Sequence, residues 1–140
     1  MSDTTSRPIL AASAACFRNG KLLLARRAVA PKLWTLPGGR VEIGEAAADA
    51  AQRELLEETG VEADIAGFAG FREMVLKDPT GKIDKHFVIL SFAARWRAGD
   101  ARANPELSAV EWIAPEELSR FETTDGLAET VASARRLLGE

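Results

Sequence analysis

Three glutamates on a predicted helix are the residues of this sequence best suited to metal chemistry. Glu54, Glu57 and Glu58 are spaced i, i+3 and i+4, so a helix places their carboxylates on one face. Carboxylates at this spacing repel one another, and the helix dipole disfavours negative charge in the last turn. A bound divalent cation relieves both penalties, and clustered carboxylate oxygens favour Mg²⁺, with Mn²⁺ as a substitute. The spacing therefore predicts a site for a hard divalent cation.

These glutamates belong to a longer pattern of fixed positions. Gly39 and Glu45 open the pattern, and after seven further residues it continues through 53–61 as Arg-Glu-Leu-Leu-Glu-Glu-Thr-Gly-Val. Alanines after Glu45 favour a helix, and Gly60 fits the left-handed position that ends one. The segment resembles the Nudix box, and each of its nine constrained positions is filled. The resemblance extends through the flanking segments and covers most of the chain.

The resemblance implies a fold, a reaction and a set of catalytic residues. Nudix proteins are α/β/α sandwiches that use a divalent metal to hydrolyse a nucleoside diphosphate linked to another moiety. By resemblance, Glu57 and Glu58 bind the metal, and Gly38 contributes its backbone carbonyl. Arg53 orients the carboxylates, and Glu54 is either a third metal ligand or the general base. The predicted catalytic residues are therefore Arg53, Glu54 and Glu57.

Three acids outside this face have less direct expected roles. The resemblance implies that Glu45 braces the loop and the helix, although its position in the first turn also suits helix capping. Glu106 lies in the loop before a late strand, where family members often supply another metal ligand. Glu111 is the second choice for that ligand, because it lies within the strand and its side chain can point away.

The predicted substrate is ADP-ribose or a similar nucleoside diphosphate derivative. The observations behind this prediction are the short single-domain length, the match around residues 34–42, the strand that begins at His86 and the lack of an evident base-reading signature. Nudix proteins that remove oxidised nucleoside triphosphates carry the same box, so triphosphate hydrolysis is the alternative. Specificity depends on pocket residues, for which we predict Arg26, Arg72 and His86, whereas Arg27 is expected at an exposed strand end.

The acidic segment fits two alternative roles less well. A solvated acidic helix would account for neither the fixed glycines nor the carboxylates at the unfavourable end of the helix. A non-catalytic nucleotide-sensing module usually shows damaged acids, and the acids are intact here.

Strands and one further helix must position these residues. Apolar runs at 9–17 and 22–25 flank Asn19-Gly20, which is a strong hairpin signal. A near-continuous apolar run at 86–96 is typical of a central strand buried on both faces. Shorter strands are expected at 33–36, 61–65, 68–76 and 109–113, with a short helix starting at 114–117. A final amphipathic helix is predicted from the spacing of Leu127, Val131, Ala134 and Leu138.

This order of elements predicts an α/β fold with a mixed sheet between helices, in agreement with the sandwich that the resemblance implies. We expect a single domain over residues 1–140, with residues 1–6 as a flexible tail. The hydrophobic content of 46% and the charged content of 28% are typical of a globular chain.

Composition also narrows the expected partners. The net charge is −3 and no block of Lys or Arg is present, so we expect a small nucleotide and no nucleic acid as partner. The apolar run at 8–17 is too short to span a membrane. Cys16 is the single cysteine, which indicates a cytoplasmic location and a role in the core. A homodimer is the expected assembly.

Overall fold

A seven-stranded mixed sheet lies between two helices in the computed structural model, which describes residues 7–140. The tail predicted at 1–6 lies outside these residues. The strands are β1 (Ile9–Arg18), β2 (Lys21–Arg27), β3 (Trp34–Thr35), β4 (Gly38–Arg40), β5 (Glu62–Lys77), β6 (Ile83–Ala98) and β7 (Leu107–Ile113). The helices are α1 (Ala47–Thr59), a 3-10 helix (Pro115–Arg120) and α2 (Leu127–Leu138). These elements confirm the predicted α/β/α sandwich.

Strand β1 is the centre of the sheet. The order is β3-β2-β1-β6-β5, with β4 paired to β1 and β7 paired to β2. Strands β1 and β6 run parallel, while β1 pairs with β2 and β4 in the antiparallel sense. The tight turn between β1 and β2 places Asn19 and Gly20 at positive φ, as the predicted hairpin requires.

Alternating side chains of the sheet enter two cores. On the α2 side, Leu22 and Leu24 are fully buried, whereas Leu23 is buried on the α1 side. The sequences of β1 and β2 are nearly continuous apolar runs because both faces of these strands are covered by the two cores. Cys16 is fully buried in the α1-side core, where burial raises the pKa of its thiol to about 12. This thiol is a packing residue, as expected.

Each of the two α-helices packs one face against the sheet. The predicted stripe of α2 is confirmed by the burial of Leu127, Val131, Ala134 and Leu138. In α1, Ala50, Ala51 and Leu55 are fully buried, and the small alanines bring the helix backbone close to the sheet. Helix α1 ends at Gly60, which is left-handed and donates its N–H to the carbonyl of Leu56. Within residues 7–140, no helix combines the length and apolar character needed to cross a membrane.

The long β5–β6 hairpin differs from the prediction. The sequence predicts two strands at 61–65 and 68–76, but the structure has the single strand β5, whose register shifts between Ile65 and Gly67 and between Phe68 and Gly70. The sequence also predicts that β6 is buried on both faces, yet residues 83–90 are exposed or half-buried. The buried side chains of β6 lie further along, at 91, 93 and 94, where the two cores meet the sheet. The apolar run is therefore longer than the part that the helices cover.

Candidate active site

Arg53 ties the loop before α1 to the helix. Its Nε and Nη2 donate to the two oxygens of Glu45 at 2.7 and 3.0 Å, which is a bidentate pair. Its Nη1 donates to Glu54 Oε1 at 2.9 Å, and Nη2 also donates to the carbonyl of Arg40 at 3.1 Å. The Arg53 hydrogen bonds hold the pKa of Glu45 below its usual value, and the same contact to Glu45 raises the pKa of Arg53. One guanidinium therefore fixes both the loop and the first acid of the face.

The two acids that lie further out are Glu57, which is exposed, and Glu45, which contacts the loop before α1. Arg53 Nη1 lies 3.3 Å from both oxygens of Glu57, whose side chain is 55% exposed. Glu45 accepts the backbone N–H of Glu42 at 3.1 Å, and Ala46 begins the helix without a side-chain cap. Glu45 thus lies where a brace between loop and helix belongs.

Glu58 is the buried acid of the face. Its residue is 6% exposed, and the backbone N–H of Gly38 donates to its Oε1 at 3.0 Å. Burial raises the pKa of Glu58 to about 8, the Gly38 N–H acts in the opposite direction, and the charges of Glu54 and Glu106 raise it further. Burial also raises the pKa of Glu54, against the effect of Arg53. A cation at the place where these charges meet would favour the ionised form of each carboxyl.

The loop after β6 brings a fourth acid to Glu58. The backbone N–H groups of Arg102 and Asn104 donate to the carbonyls of Thr59 and Glu58 at 2.9 and 3.0 Å, so the loop caps the end of α1. Asn104 Oδ1 then accepts the N–H of Glu106 at 3.0 Å. These bonds place Glu106 beside Glu58, where its carboxyl raises the pKa of Glu58. The sequence pattern does not single out Asn104, although Asn before Pro is a common turn signal.

Together these residues line a cleft, which we call the acidic cleft. It is lined by Gly39, Arg40, Glu54, Glu57, Glu58, Asn104 and Glu106. Its inner donors are carboxylate and amide oxygens, which suit Mg²⁺ or Mn²⁺. Within residues 7–140, no three acids or histidines are already gathered into an ion-binding cluster. Glu106 already lies beside Glu58, so ion binding would chiefly draw the exposed Glu57 toward these two acids. The residues present fit such an ion.

Gly38 and Glu111 are also predicted metal ligands, and they lie at different distances from the acidic cleft. Gly38 lies on β4 at the edge of the cleft, where its N–H rather than its carbonyl contacts Glu58. Glu111 is exposed within β7, opposite Leu24 of β2, and it does not line the acidic cleft. Of the two later acids, the structure brings Glu106 to the site.

A second cavity lies on the α2 side of the sheet and reaches the acidic cleft. We call it the sheet cavity; it is lined by Arg27, Leu36, Arg72, Met74, Phe87 and Ile89, and it extends to Gly38 and Gly39. Arg27 also lines the adjoining space beside Glu58 and Glu106. Arg72 is buried in the wall of the sheet cavity. The structure therefore places two arginines in the wall of this cavity, and Arg27 also borders the acids.

Arg26 and Arg27 have exchanged the positions expected from the sequence. Arg26 donates its Nε to the carbonyl of Lys32 at 3.2 Å, whereas Arg27 lines the sheet cavity. The pairing of β2 with β7 shifts between these two residues, and such a shift resets the alternation of side chains along a strand. No local sequence signal indicates that irregularity.

His86 does not reach the sheet cavity. Its Nε2 lies 2.8 Å from Glu73 Oε2. Phe87 and Ile89 are two residues apart on β6, so their side chains lie on the same face, and both line the cavity. Because Phe87 and Ile89 line the cavity, alternation places His86 on the opposite face of the sheet. Of the predicted pocket residues, the structure brings Arg72 to the cavity and leaves Arg26 and His86 outside it.

Comparison with known proteins agrees with this architecture. Residues 7–134 match the NUDIX domain family. A putative 8-oxo-dGTP diphosphatase of Bacillus subtilis (strain 168) is 37% identical over 102 residues, which are 72% of this chain and 62% of the relative. A MutT-like protein of Streptomyces ambofaciens is 34% identical over 120 residues, 84% of this chain and 72% of the relative. The chain therefore spans less than two thirds of the length of the first relative and more than two thirds of the length of the second.

Solved structures show the same fold. The crystal structure of a MutT NUDIX hydrolase from Burkholderia pseudomallei superposes with a TM-score of 0.76 at 27% identity, covering 91% of this chain and 98% of the other. The family match covers the acidic cleft, the sheet cavity, α1 and the first part of α2. The chain belongs to the Nudix hydrolase family.

Proposed function

We propose that this protein hydrolyses the diphosphate linkage of a nucleoside phosphate derivative in the acidic cleft, with Mg²⁺ or Mn²⁺ as cofactor. The observation that carries this proposal is the buried carboxyl of Glu58, with Glu54 and Glu106 close enough to raise its pKa. A cation is the simplest group that compensates these charges. The adjoining sheet cavity supplies space for a nucleoside beside the acids.

The four acids of the cleft have distinct roles in this proposal. Glu57, Glu58 and Glu106 would hold the cation, with the Gly38 carbonyl as a further oxygen donor. When bound, the cation neutralises charge on the diphosphate and activates the attacking water. Glu54 either completes the ligand set or accepts the proton of the water, and Arg53 holds its carboxylate in place at 2.9 Å.

Arg27 is suited to a phosphate. It lines both the sheet cavity and the space beside Glu58 and Glu106, so it lies where a nucleotide would pass from one to the other. A guanidinium there can donate two hydrogen bonds to phosphate oxygens without entering the metal site.

Nucleoside triphosphates are the first candidate substrates, and ADP-ribose is the second. The relative named a putative 8-oxo-dGTP diphosphatase supports the first. The run 36–42 favours ADP-ribose, but His86 lies outside the cavity. Attack by water on a triphosphate would release a monophosphate and pyrophosphate, whereas ADP-ribose would yield AMP and ribose 5-phosphate. The homodimer and the cytoplasmic location predicted from the sequence remain part of this proposal.

Turnover in the presence of a divalent metal tests the proposed reaction. Purified protein treated with a chelator should show no hydrolysis, and millimolar Mg²⁺ or Mn²⁺ should restore it. The products should be separated by chromatography for the four deoxynucleoside triphosphates and for ADP-ribose. We expect a nucleoside monophosphate in each productive case. Equal turnover with and without chelator, or release of a single inorganic phosphate as the first product, would contradict the proposal.

Two neighbouring glycines allow a matched test of the cleft. A Cβ on Gly39 would lie 2.5 Å from the carboxyl of Glu54, the flexible end of a side chain, whereas a Cβ on Gly38 would meet the backbone of Ala12 in β1. Gly39→Ala should therefore lower kcat/KM by about tenfold or more, which corresponds to about 1.4 kcal/mol, with little loss of stability. Gly38→Ala should destabilise the fold by roughly 1–3 kcal/mol. Full turnover by Gly39→Ala at wild-type stability would show that the position of Glu54 is unimportant.

The pH dependence of stability tests the burial of Glu58 without metal. Its pKa is raised in the folded state from 4.5 to about 8, so ionisation opposes folding. Stability of the chelator-treated protein should be unaffected by Glu58 below about pH 4.5, should fall as pH rises from there to about 8, and should then level off, with a total loss on the order of 2–4 kcal/mol. Denaturant unfolding between pH 5 and 9 should show this fall in the wild type and in Glu57→Gln, which changes an exposed acid, but a smaller one in Glu58→Gln. Identical slopes in all three proteins would mean that Glu58 is solvated.

A further inference from the structure

Strand β5 lies at one edge of the sheet, and among residues 7–140 it pairs only with β6. Its first half is irregular, because its register against β6 shifts repeatedly between residues 62 and 70. From residue 70 to residue 77 the strand is regular, since the extra residue of the last shift, Asp84, belongs to β6. Every second residue of an antiparallel strand directs its N–H and C=O away from the neighbouring strand. Residues 70–77, which we call the β5 edge, therefore present backbone donors and acceptors on the side away from β6.

Apolar side chains are exposed on and beside this edge. Phe71 and Val75 are 62% and 45% exposed, and Phe68 is 53% exposed. Phe71 pairs with Leu90 and Phe68 with Phe92, and Phe92 packs against the α1-side core. The exposed side chains therefore lie on the α1 face of the sheet, beyond the part that α1 covers. Apolar side chains along a long edge strand are typical of a surface that pairs with another chain.

The charged residues of the β5 edge decide which pairing is possible. Glu73 and Lys77 are exposed and alternate with Val75, so all three side chains share one face of the sheet. If two copies pair antiparallel with Val75 opposite Val75, Glu73 of each copy lies opposite Lys77 of the other. Registers centred on residue 73 or 77 would instead set like charges against each other, which is destabilising. Registers centred on residue 74 or 76 would leave both charges without an opposite charge across the pair.

We propose that the β5 edge pairs with the β5 edge of a second copy of this chain, about a two-fold axis at Val75. The axis repeats every contact, so the pair of Glu73 and Lys77 forms twice. The same register sets the exposed ring of Phe71 beside Pro79 of the second copy. The tail 1–6 is a poorer occupant of this edge, because its five residues after Met1 are polar.

This inference goes beyond the proposed hydrolysis and does not depend on it, since it gives the homodimer expected from the sequence a defined interface. Residues 73–77 of each copy make most of the contact, which is less than a permanent dimer buries. We therefore expect a reversible dimer with a Kd on the order of 1–100 μM. Sedimentation velocity of the wild type from about 5 to 500 μM should show the shift from monomer to dimer.

Charge reversal tests the register. Glu73→Lys and Lys77→Glu should each weaken association about tenfold or more, because each variant sets like charges opposite each other twice. The double variant restores the opposite charges in exchanged positions, so its Kd should return to within about threefold of the wild type. Glu73 also contacts His86 within the chain, so Lys77→Glu is the cleaner single variant. Lys21→Glu, at the exposed start of β2, is the control for net charge and should leave the Kd unchanged.

A cysteine at the two-fold axis tests the geometry. Opposed Cα atoms of an antiparallel pair lie about 4.5–5.5 Å apart, which is within the range of a disulfide. Val75→Cys should therefore give a disulfide-linked dimer on mild oxidation. In Lys77→Cys the two new cysteines would lie about 14 Å apart, so this variant should stay unlinked. The native Cys16 is fully buried and does not compete.

Several results would overturn the inference. A wild type that remains monomeric at about 500 μM would exclude the interface, and so would a dimer that persists unchanged in both charge reversals. Equal cross-linking of the two cysteine variants, or cross-linking of Lys77→Cys alone, would exclude the register. Turnover is not measured in any of these experiments, so their failure would leave the proposed hydrolysis standing.

Discussion

Burial of the Glu58 carboxyl is the constraint on which the rest of the site depends. Its side chain accepts the N–H of Gly38 from β4, and its backbone carbonyl accepts the N–H of Asn104 from the loop after β6. One residue at the end of α1 therefore holds a strand, a helix and a loop together. The buried stripe of α1 orients Glu58 toward the sheet, while Arg53 gathers the outer acids and the preceding loop. Without a cation, ionisation of this carboxyl opposes folding at neutral pH, which is why we regard the arrangement as functional.

Two regions of opposite charge lie next to each other on this sheet. The acidic cleft concentrates carboxyls, and the sheet cavity holds Arg27 and Arg72, neither of which has a carboxylate partner within residues 7–140. The two regions meet at Gly38 and Gly39, where the absence of side chains leaves the backbone open. In the proposed function, a nucleotide complexed with a divalent metal would satisfy both regions at once, because its phosphates would face the acids through the metal and meet Arg27, while its base would enter the sheet cavity. The two regions together therefore suit a metal-bound nucleotide better than either region would alone.

The sequence predicted what depends on short-range periodicity. The acidic face of α1, the buried stripe of α2 and the turn at Asn19-Gly20 follow from helix spacing and glycine chemistry, and each lies where it was expected. The family motif covered the helical part of the acidic cleft for the same reason, since its residues lie on one helix and the segment before it. The pocket was less predictable. Arg27 faces the cavity because of a register shift in β2, and His86 faces away because of strand alternation, and both depend on pairing partners distant in the sequence.

The position of a bound metal would show whether Glu58 is buried in order to hold a cation. A crystal of the protein soaked in Mn²⁺ should be studied by anomalous diffraction, which identifies the metal by its own signal. We predict an anomalous peak in the acidic cleft within ligand distance of Glu58, with Glu57 and Glu106 drawn toward it, and no peak at this position in Glu58→Gln. Absence of a peak in the wild type at saturating Mn²⁺, or a peak only elsewhere, would contradict a metal-binding role for this carboxyl.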